Sequence, residues 1–320
     1  CMKKLILSTA FLFAGFWGFS QQDAQFTQNM FNKLAVNPGS AGHNGGFCAT
    51  LLTRTQWIGF DGRPQTHQFS GDAKFGRHGV GLTIAQDQLG IERSFAVKGT
   101  YAFHLSLGPG KLGIGLDIGM VSKSFTNNFV AIDDYTLDPS IPNANTSAKS
   151  FDAGFGLFYE IENTMYVGVS TLHLPESAFE ETADAGGAGA LDFQQTRHYY
   201  IMAGYEKDIS GGSQKWILKP SVLAKTDASS AQLDINALVV YNNLAWGGVS
   251  YRLQDAIAVL AGVNVPDYGQ GTGLKIGLAY DITTSALGDQ TSGSIEFMVR
   301  YCKNISKTPK REVYHSVRFL

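Results

Sequence analysis

The sequence predicts an all-β chain: a transmembrane antiparallel β-barrel of about fourteen strands, with a short amino-terminal periplasmic or lumenal segment and a basic C-terminal tail. Three observations carry this. Segments of roughly ten residues alternate apolar with small or polar side chains, and a two-residue period belongs to β-strands. The connections between segments alternate too, short turns on one side and the longest loops on the other, the asymmetry of a membrane barrel. The 320 residues are 44% hydrophobic and 12% aromatic but only 16% charged, with 37 glycines. A disordered chain would be charged and poor in aromatics, so disorder is excluded. A helical membrane protein is excluded as well, because only residues 5–19 approach the ~18 continuous apolar residues of a spanning helix.

Residues 1–20 read as a secretory signal: Lys3-Lys4, an apolar run from Leu5 to Phe19, and small residues at Gly18 and Ser20, with cleavage expected after Ser20. Cys1 stands before the basic residues, whereas a lipoprotein cysteine would follow the apolar run. Loss of Lys3 and Lys4 leaves 23 basic against 27 acidic side chains, a net −4 that gives no reason to expect a nucleic-acid partner. Residues 21–46 form a plug or periplasmic segment. Phe26, Met30, Phe31 and Leu34 fall at i, i+4, i+5 and i+8, which suits a short amphipathic turn packed in the periplasmic mouth, and they are candidate partner-binding residues.

The barrel spans 47–302. Strands are expected over 47–58, 65–75, 78–86, 91–105, 111–122, 148–160, 164–174, 194–207, 215–226, 231–242, 244–253, 256–265, 271–282 and 292–302. In the first, Phe47, Ala49, Leu51, Thr53, Thr55 and Trp57 share one face, and Cys48, Thr50, Leu52, Arg54 and Gln56 the other. Leu112, Ile114, Leu116, Ile118 and Met120 alternate with Gly113, Gly115, Asp117 and Gly119. Inward glycines at 113, 115, 119, 154 and 156 relieve crowding where strands bend and coil. Short turns at Gly76-Arg77, Gly108 to Gly110, Glu162-Asn163, Gly211-Gly212, Asn242-Asn243 and Pro266 to Gln270 face the periplasm; 123–147 and 175–193 are the long outer loops. Trp57 at the outer and Trp246 near the inner end of their strands are candidate interfacial belt residues. A soluble sandwich has no reason to segregate loop length this way.

An even-stranded barrel pairs its first and last strands antiparallel, so opposed residues have a constant index sum. In the last strand Ile295, Phe297, Val299 and Tyr301 form the apolar face, leaving Ser294, Glu296, Met298, Arg300 and Cys302 inside. Setting Cys48 opposite Cys302 fixes the sum at 350, which places Arg54 opposite Glu296, Thr50 opposite Arg300 and Leu52 opposite Met298. A lumenal Arg54–Glu296 pair is therefore expected at the seam, with the two cysteines near contact. A disulfide is not expected, because bridge geometry is demanding for directly opposed strand residues.

No catalytic constellation stands out, and an enzyme is not expected. His43, His67, His78, His104, His173, His198 and His315 form no HExxH and join no cysteine at metal spacing. There is no GxSxG elbow, and the Gly-x-Gly runs at 113–115 and 269–273 lie in or beside strands rather than at a strand-to-helix turn. Glu176, Glu180, Glu181, Asp184, Asp192, Asp133, Asp134 and Asp138 make the long loops acidic without a calcium-loop pattern. No metal site and no cofactor is assigned. Residues 303–320 carry five basic side chains and one acid. This periplasmic tail, with Lys307, Lys310 and Arg311, is a candidate partner-binding element.

The blocks QQDAQFTQNMFNKLAVNPGSAG (21–42), RTQWIGFDGRPQTHQFS (54–70) and HGVGLTIAQDQLGIERSFAVKGTYAFHLSL (78–107) resemble the PorP/SprF family of Bacteroidetes outer-membrane proteins, and the resemblance covers nearly the whole chain. It implies a non-enzymatic barrel of the type IX secretion and gliding machinery, exporting or anchoring the C-terminal domain of secreted surface proteins, adhesins especially, and contacting periplasmic secretion components as well as outer-membrane lipid. A diffusion channel for small solutes is the alternative.

Overall fold

The computed structural model describes residues 23–126, 146–181, 194–266, 273–286 and 288–304. Among them are fourteen long strands: β1 (Phe47–Thr55), β2 (Gln65–Phe75), β3 (His78–Leu89), β4 (Glu92–Leu107), β5 (Gly110–Phe125), β6 (Thr146–Ile161), β7 (Met165–Leu172), β8 (His198–Tyr205), β9 (Trp216–Thr226), β10 (Ala231–Tyr241), β11 (Ala245–Arg252), β12 (Ala256–Pro266), β13 (Gly273–Thr283) and β14 (Ser294–Lys303). Each pairs antiparallel with the next, and β14 returns to pair with β1, closing the barrel. Two-residue pieces extend the sheet, Glu180–Glu181 beside β6 and Lys207–Asp208 beside β9.

Alternation decides which way each side chain faces. On the outer wall Ile118 is 59% and Ile201 57% exposed, whereas the inward Met298 and Glu296 are wholly buried. An apolar outside around a polar and mixed interior is a wall built for lipid. The two-residue turns Gly76-Arg77 and Gly108-Pro109 each begin with a left-handed glycine, φ 63° and 56°, a conformation that a tight hairpin requires. These turns lie at one end of the barrel, here the turn end, with the start of β1. The opposite, loop end carries 56–64 and, among the described residues of the other long connections, 173–181, 194–197, 284–286 and 288–293.

Among the described residues four connections depart from the expected pattern, and two of them, 227–230 and 253–255, are short links at the loop end. Residues 90–91 form a two-residue turn at the loop end, because β3 and β4 stay paired as far as Leu89 and Glu92. At the turn end the link from β8 to β9 spans 206–215, and its Lys207–Asp208 piece keeps the register of β8 on β9. Residues 1–22 and 305–320, and with them the signal segment and Lys307, Lys310 and Arg311, lie outside the described residues, as do Asp133, Asp134, Asp138, Asp184 and Asp192.

The core is inside the barrel, because residues 23–46 occupy the lumen. Three short 3-10 turns, Asn29–Phe31, Lys33–Ala35 and Pro38–Ser40, replace the expected amphipathic turn. Phe26, Met30 and Phe31 pack on Leu52, Leu238, Trp246, Leu260 and Met298, while Val36 joins a second cluster around Phe158, Leu172 and Met202. Leu34 is buried with Ala41 and Ala102. Trp246 is consequently no belt residue. It is 4% exposed with its ring 4.7 Å from that of Phe31, because it shares the parity of the inward Ser250 and Arg252. Trp57 does lie at the loop end, in the β1–β2 connection, where its backbone N–H donates to Ser294 Oγ.

Candidate functional site

The candidate site is the contact between the lumenal segment and the barrel wall. It starts at the seam, where Cys48 faces Cys302, Thr50 Arg300, Leu52 Met298 and Arg54 Glu296. The cysteines are joined in a disulfide with Cα atoms 4.1 Å apart, contrary to the expectation that they only approach one another. The cysteines occupy a narrow antiparallel pair, where opposed side chains come closest.

Arg54 contacts Glu296 at 3.4 Å, but its shorter ion pair, 2.7 Å, is with Asp281 of β13. All three side chains are buried, and buried charges persist only when paired and hydrogen-bonded. The remaining partners come from the lumenal segment. The backbone N–H groups of Thr27 and Gln28 donate to the two Glu296 oxygens at 2.7 and 2.8 Å. The Thr27 hydroxyl donates to Asp281 and accepts from Arg54 at 2.9 Å and from Arg252 at 3.3 Å. Arg252 in turn pairs with Asp234, Asp255 and Asp281. Nearer the turn end, Arg300 donates to the Phe31 carbonyl at 2.6 Å. Thr27 is thus a bolt through a four-charge cluster shared by β1, β11, β13 and β14.

On the opposite wall the segment is held by close approach. A methyl group added at Gly113 or Gly79 would overlap the carbonyls of Gly39 or Ala41, and at Gly115 it would overlap Pro38. At Gly156 it would meet the Asn37 side chain. These glycines, three of which the sequence assigned to strand bending, form a shelf for the segment's backbone. Asn37 caps the Pro38–Ser40 turn by accepting from the Gly39 N–H at 2.9 Å, and its amide donates to the Leu157 and Val169 carbonyls. Gly42 N–H donates to Asp72 at 2.7 Å. Lys33 lies 3.6 Å over the Tyr166 ring and 3.8 Å from Glu160. Burial lowers its pKa to about 8, partly offset by Glu160.

The start of the segment sits at the loop end, far from the mouth the sequence suggested. Asp23 contacts His173 Nε2 at 2.9 Å and accepts from the Tyr200 hydroxyl at 2.7 Å. On its other side His173 meets Asp152 at 3.0 Å, and Asp152 pairs with Lys98 at 2.6 Å. Burial disfavours charge on His173, but Asp23 and Asp152 outweigh it and push its pKa up to about 10. Beside this cluster a cavity of about 440 Å³ remains, bounded by Thr83, Lys98, Asp117 and His198 of the wall and by Phe26 and Leu34 of the segment.

Of the residues singled out in the sequence, Cys48, Cys302, Arg54 and Glu296 are brought together. Phe26, Met30, Phe31 and Leu34 contact the chain's own wall, so the surface expected to receive a partner is already occupied within the molecule. Asp281, Arg252, Thr27 and the Asp23–His173–Asp152 chain were missed. A signal existed for part of this: with an antiparallel sum of 486, Asp234 and Arg252 are directly opposed inward charges on consecutive strands.

The toluene transporter TbuX of Ralstonia pickettii superposes with a TM-score of 0.51 at 13% identity, over 85% of this chain and 93% of that one. The toluene transporter TodX of Pseudomonas putida gives 0.50 at 11% identity, over 90% and 96%. At such identity the likeness shows the outer-membrane barrel fold alone. A search of curated protein sequences finds no match. The model of the type IX secretion system membrane protein PorP/SprF matches residues 18–301. With nearly all of the barrel and its lumenal segment inside that match, the chain belongs to the PorP/SprF family of type IX secretion membrane proteins, an outer-membrane barrel family and not an enzyme class.

Proposed function

We propose that the barrel is a partner-binding component of the type IX secretion and gliding machinery, which exports or anchors the C-terminal domain of secreted surface proteins such as adhesins. The observation that carries this reading is the filled lumen: residues 23–46 are bolted through Thr27 and Gln28 to Glu296 and Asp281 and seated on the glycine shelf, so work is left to the surfaces at the two ends. In this reading the turn end and the basic tail face periplasmic secretion components, and the loop end faces the passenger. The test is purification from native membranes in mild detergent, with identification of what accompanies the barrel. A surface-protein C-terminal domain or a periplasmic scaffold is expected. Recovery of the bare barrel, together with normal surface proteins in a deletion strain, would overturn the proposal.

A second reading, a diffusion channel for small solutes, is favoured by the 440 Å³ cavity and by the fold shared with two toluene transporters. It requires steady conductance or solute uptake by the purified barrel alone in planar bilayers or liposomes, whereas the secretion reading expects neither.

A further inference from the structure

We propose that Asp23, His173 and His198 form a binding site for one divalent transition-metal ion of the zinc class, clamping the start of the lumenal segment to the barrel wall where β7 gives way to β8. One carboxylate oxygen and one nitrogen of each ring lie within 4.8 Å of one another. Two imidazoles and a carboxylate make a donor set for zinc, nickel or copper, whereas calcium and magnesium take oxygen ligands.

His198 supplies the observation that separates this group from an ordinary polar cluster. The residue is 4% exposed; its Nδ1 lies 2.8 Å from the Thr196 carbonyl, while its Nε2 is buried without a hydrogen-bond partner. A carbonyl can only accept, so the proton belongs on Nδ1, and Nε2 is left with a lone pair and nothing to receive it. Metal-binding histidines are held in this way, by an outer partner on one nitrogen that orients the other toward the ion.

The other two ligands are braced on the same plan. His173 Nδ1 faces Asp152 Oδ2 at 3.0 Å, which leaves Nε2 toward Asp23, and Asp152 is itself held by Lys98 at 2.6 Å. The second oxygen of Asp23 accepts from Tyr200 at 2.7 Å, which leaves the first toward the rings. Lys225, whose ammonium donates to the Asp23 carbonyl at 3.3 Å, is the cation beside the site on the β9 side. The 2.9 Å contact between His173 Nε2 and Asp23 marks the place a metal would take in exchange for a proton. Tetrahedral coordination at Zn–N distances of ~2.0–2.1 Å needs ligand atoms roughly 3.4 Å apart, so His198 must move inward to complete the set. Three protein ligands leave a fourth position, and the cavity that all three residues border can supply water or an anionic group to it.

The test uses the full barrel, purified without a polyhistidine tag, stripped with chelator and loaded with zinc or cobalt(II). One zinc per chain by elemental analysis is expected, with cobalt(II) absorption bands of a four- or five-coordinate site. His198→Ala and Asp23→Asn each weaken zinc binding at least ~100-fold, and Asp152→Asn, which acts through His173, weakens it about 10–100-fold. His104→Ala, altering a buried histidine that bonds the Ala41 carbonyl elsewhere in the lumen, leaves binding unchanged. Substoichiometric zinc on the wild-type barrel, or equal zinc on the His198→Ala and His104→Ala barrels, overturns the site. Should His198→Ala fail to fold, zinc-edge absorption of the wild type still decides: two imidazoles and a carboxylate support the site, and an all-oxygen or sulfur shell sinks it.

Discussion

The two walls that grip residues 23–46 do so by opposite means. Beside the seam, β1, β11, β13 and β14 offer long charged side chains, and Arg54, Arg252, Asp281 and Glu296 converge on Thr27 and Gln28. On the far wall, β3, β5 and β6 withhold side chains at Gly79, Gly113, Gly115 and Gly156, which lets Asn37–Ala41 come close. The first wall holds by bonds that fail when one partner is removed. The second holds by shape and fails when something is added.

The largest effect is expected on the charged wall. Glu296→Ala leaves Arg54 with one carboxylate fewer and strands two buried N–H groups, a loss of about 3–5 kcal/mol by the measure of broken buried ion pairs, read as a lower thermal transition of the folded barrel in detergent. Next comes the seam bridge: Cys48→Ser with Cys302→Ser removes a cross-link spanning 254 residues and is expected to cost about 2–4 kcal/mol in the same assay, with the same shift when the wild type is reduced. On the glycine wall, Gly115→Val drives a side chain into Pro38 and costs about 1–3 kcal/mol, as overpacking does. Its sharper signature is functional: conductance in planar bilayers rises as the Pro38–Ser40 turn leaves its shelf, while Thr27 stays bolted. If Gly115→Val and Glu296→Ala give the same conductance and the same stability loss, the two walls are not distinct.

The smallest effect is a pH slope. Lys33 titrates at about 8 in the folded barrel against 10.5 for an unperturbed lysine, so the unfolded chain binds more protons between those values. Stability therefore rises with pH across that window and is flat with respect to this group below it. Lys33→Met removes this group's share of the slope, measured as the difference between the wild-type and variant denaturation series from pH 7 to 10.5.

Much of the architecture was legible because the two-residue period is strict wherever one face meets lipid. All fourteen strands fall within a few residues of their expected spans, and the index sum of 350 is the register of β1 on β14. The same rule places Trp246 inside with Arg252, whereas its large apolar ring taken by residue type alone suits a belt. What the sequence did not display was the lumenal segment's course. Phe26, Met30 and Phe31 have a helical spacing, yet the chain takes 3-10 turns, since Thr27 and Gln28 spend their N–H groups on Glu296 and Asn37 caps a turn that begins with Pro38. Glu296 lies 269 positions from Thr27, and the Leu157 carbonyl that accepts from the Asn37 amide lies 120 positions from it, beyond any local pattern. His173, Asp23 and Asp152 were invisible for the same reason, being united only by the closing of the wall.

Arg54 and Glu296 are at once opposed residues of the closing seam and the groups that grip Thr27 and Gln28. The last strand meets the first with its carboxylate fully satisfied only when residues 27–28 are in place, and those residues precede β1 in the chain. Residues 27–28 supply two of the donors to the Glu296 oxygens and Arg54 a third, so closure of the seam and filling of the lumen stabilise one another across the full span of the barrel.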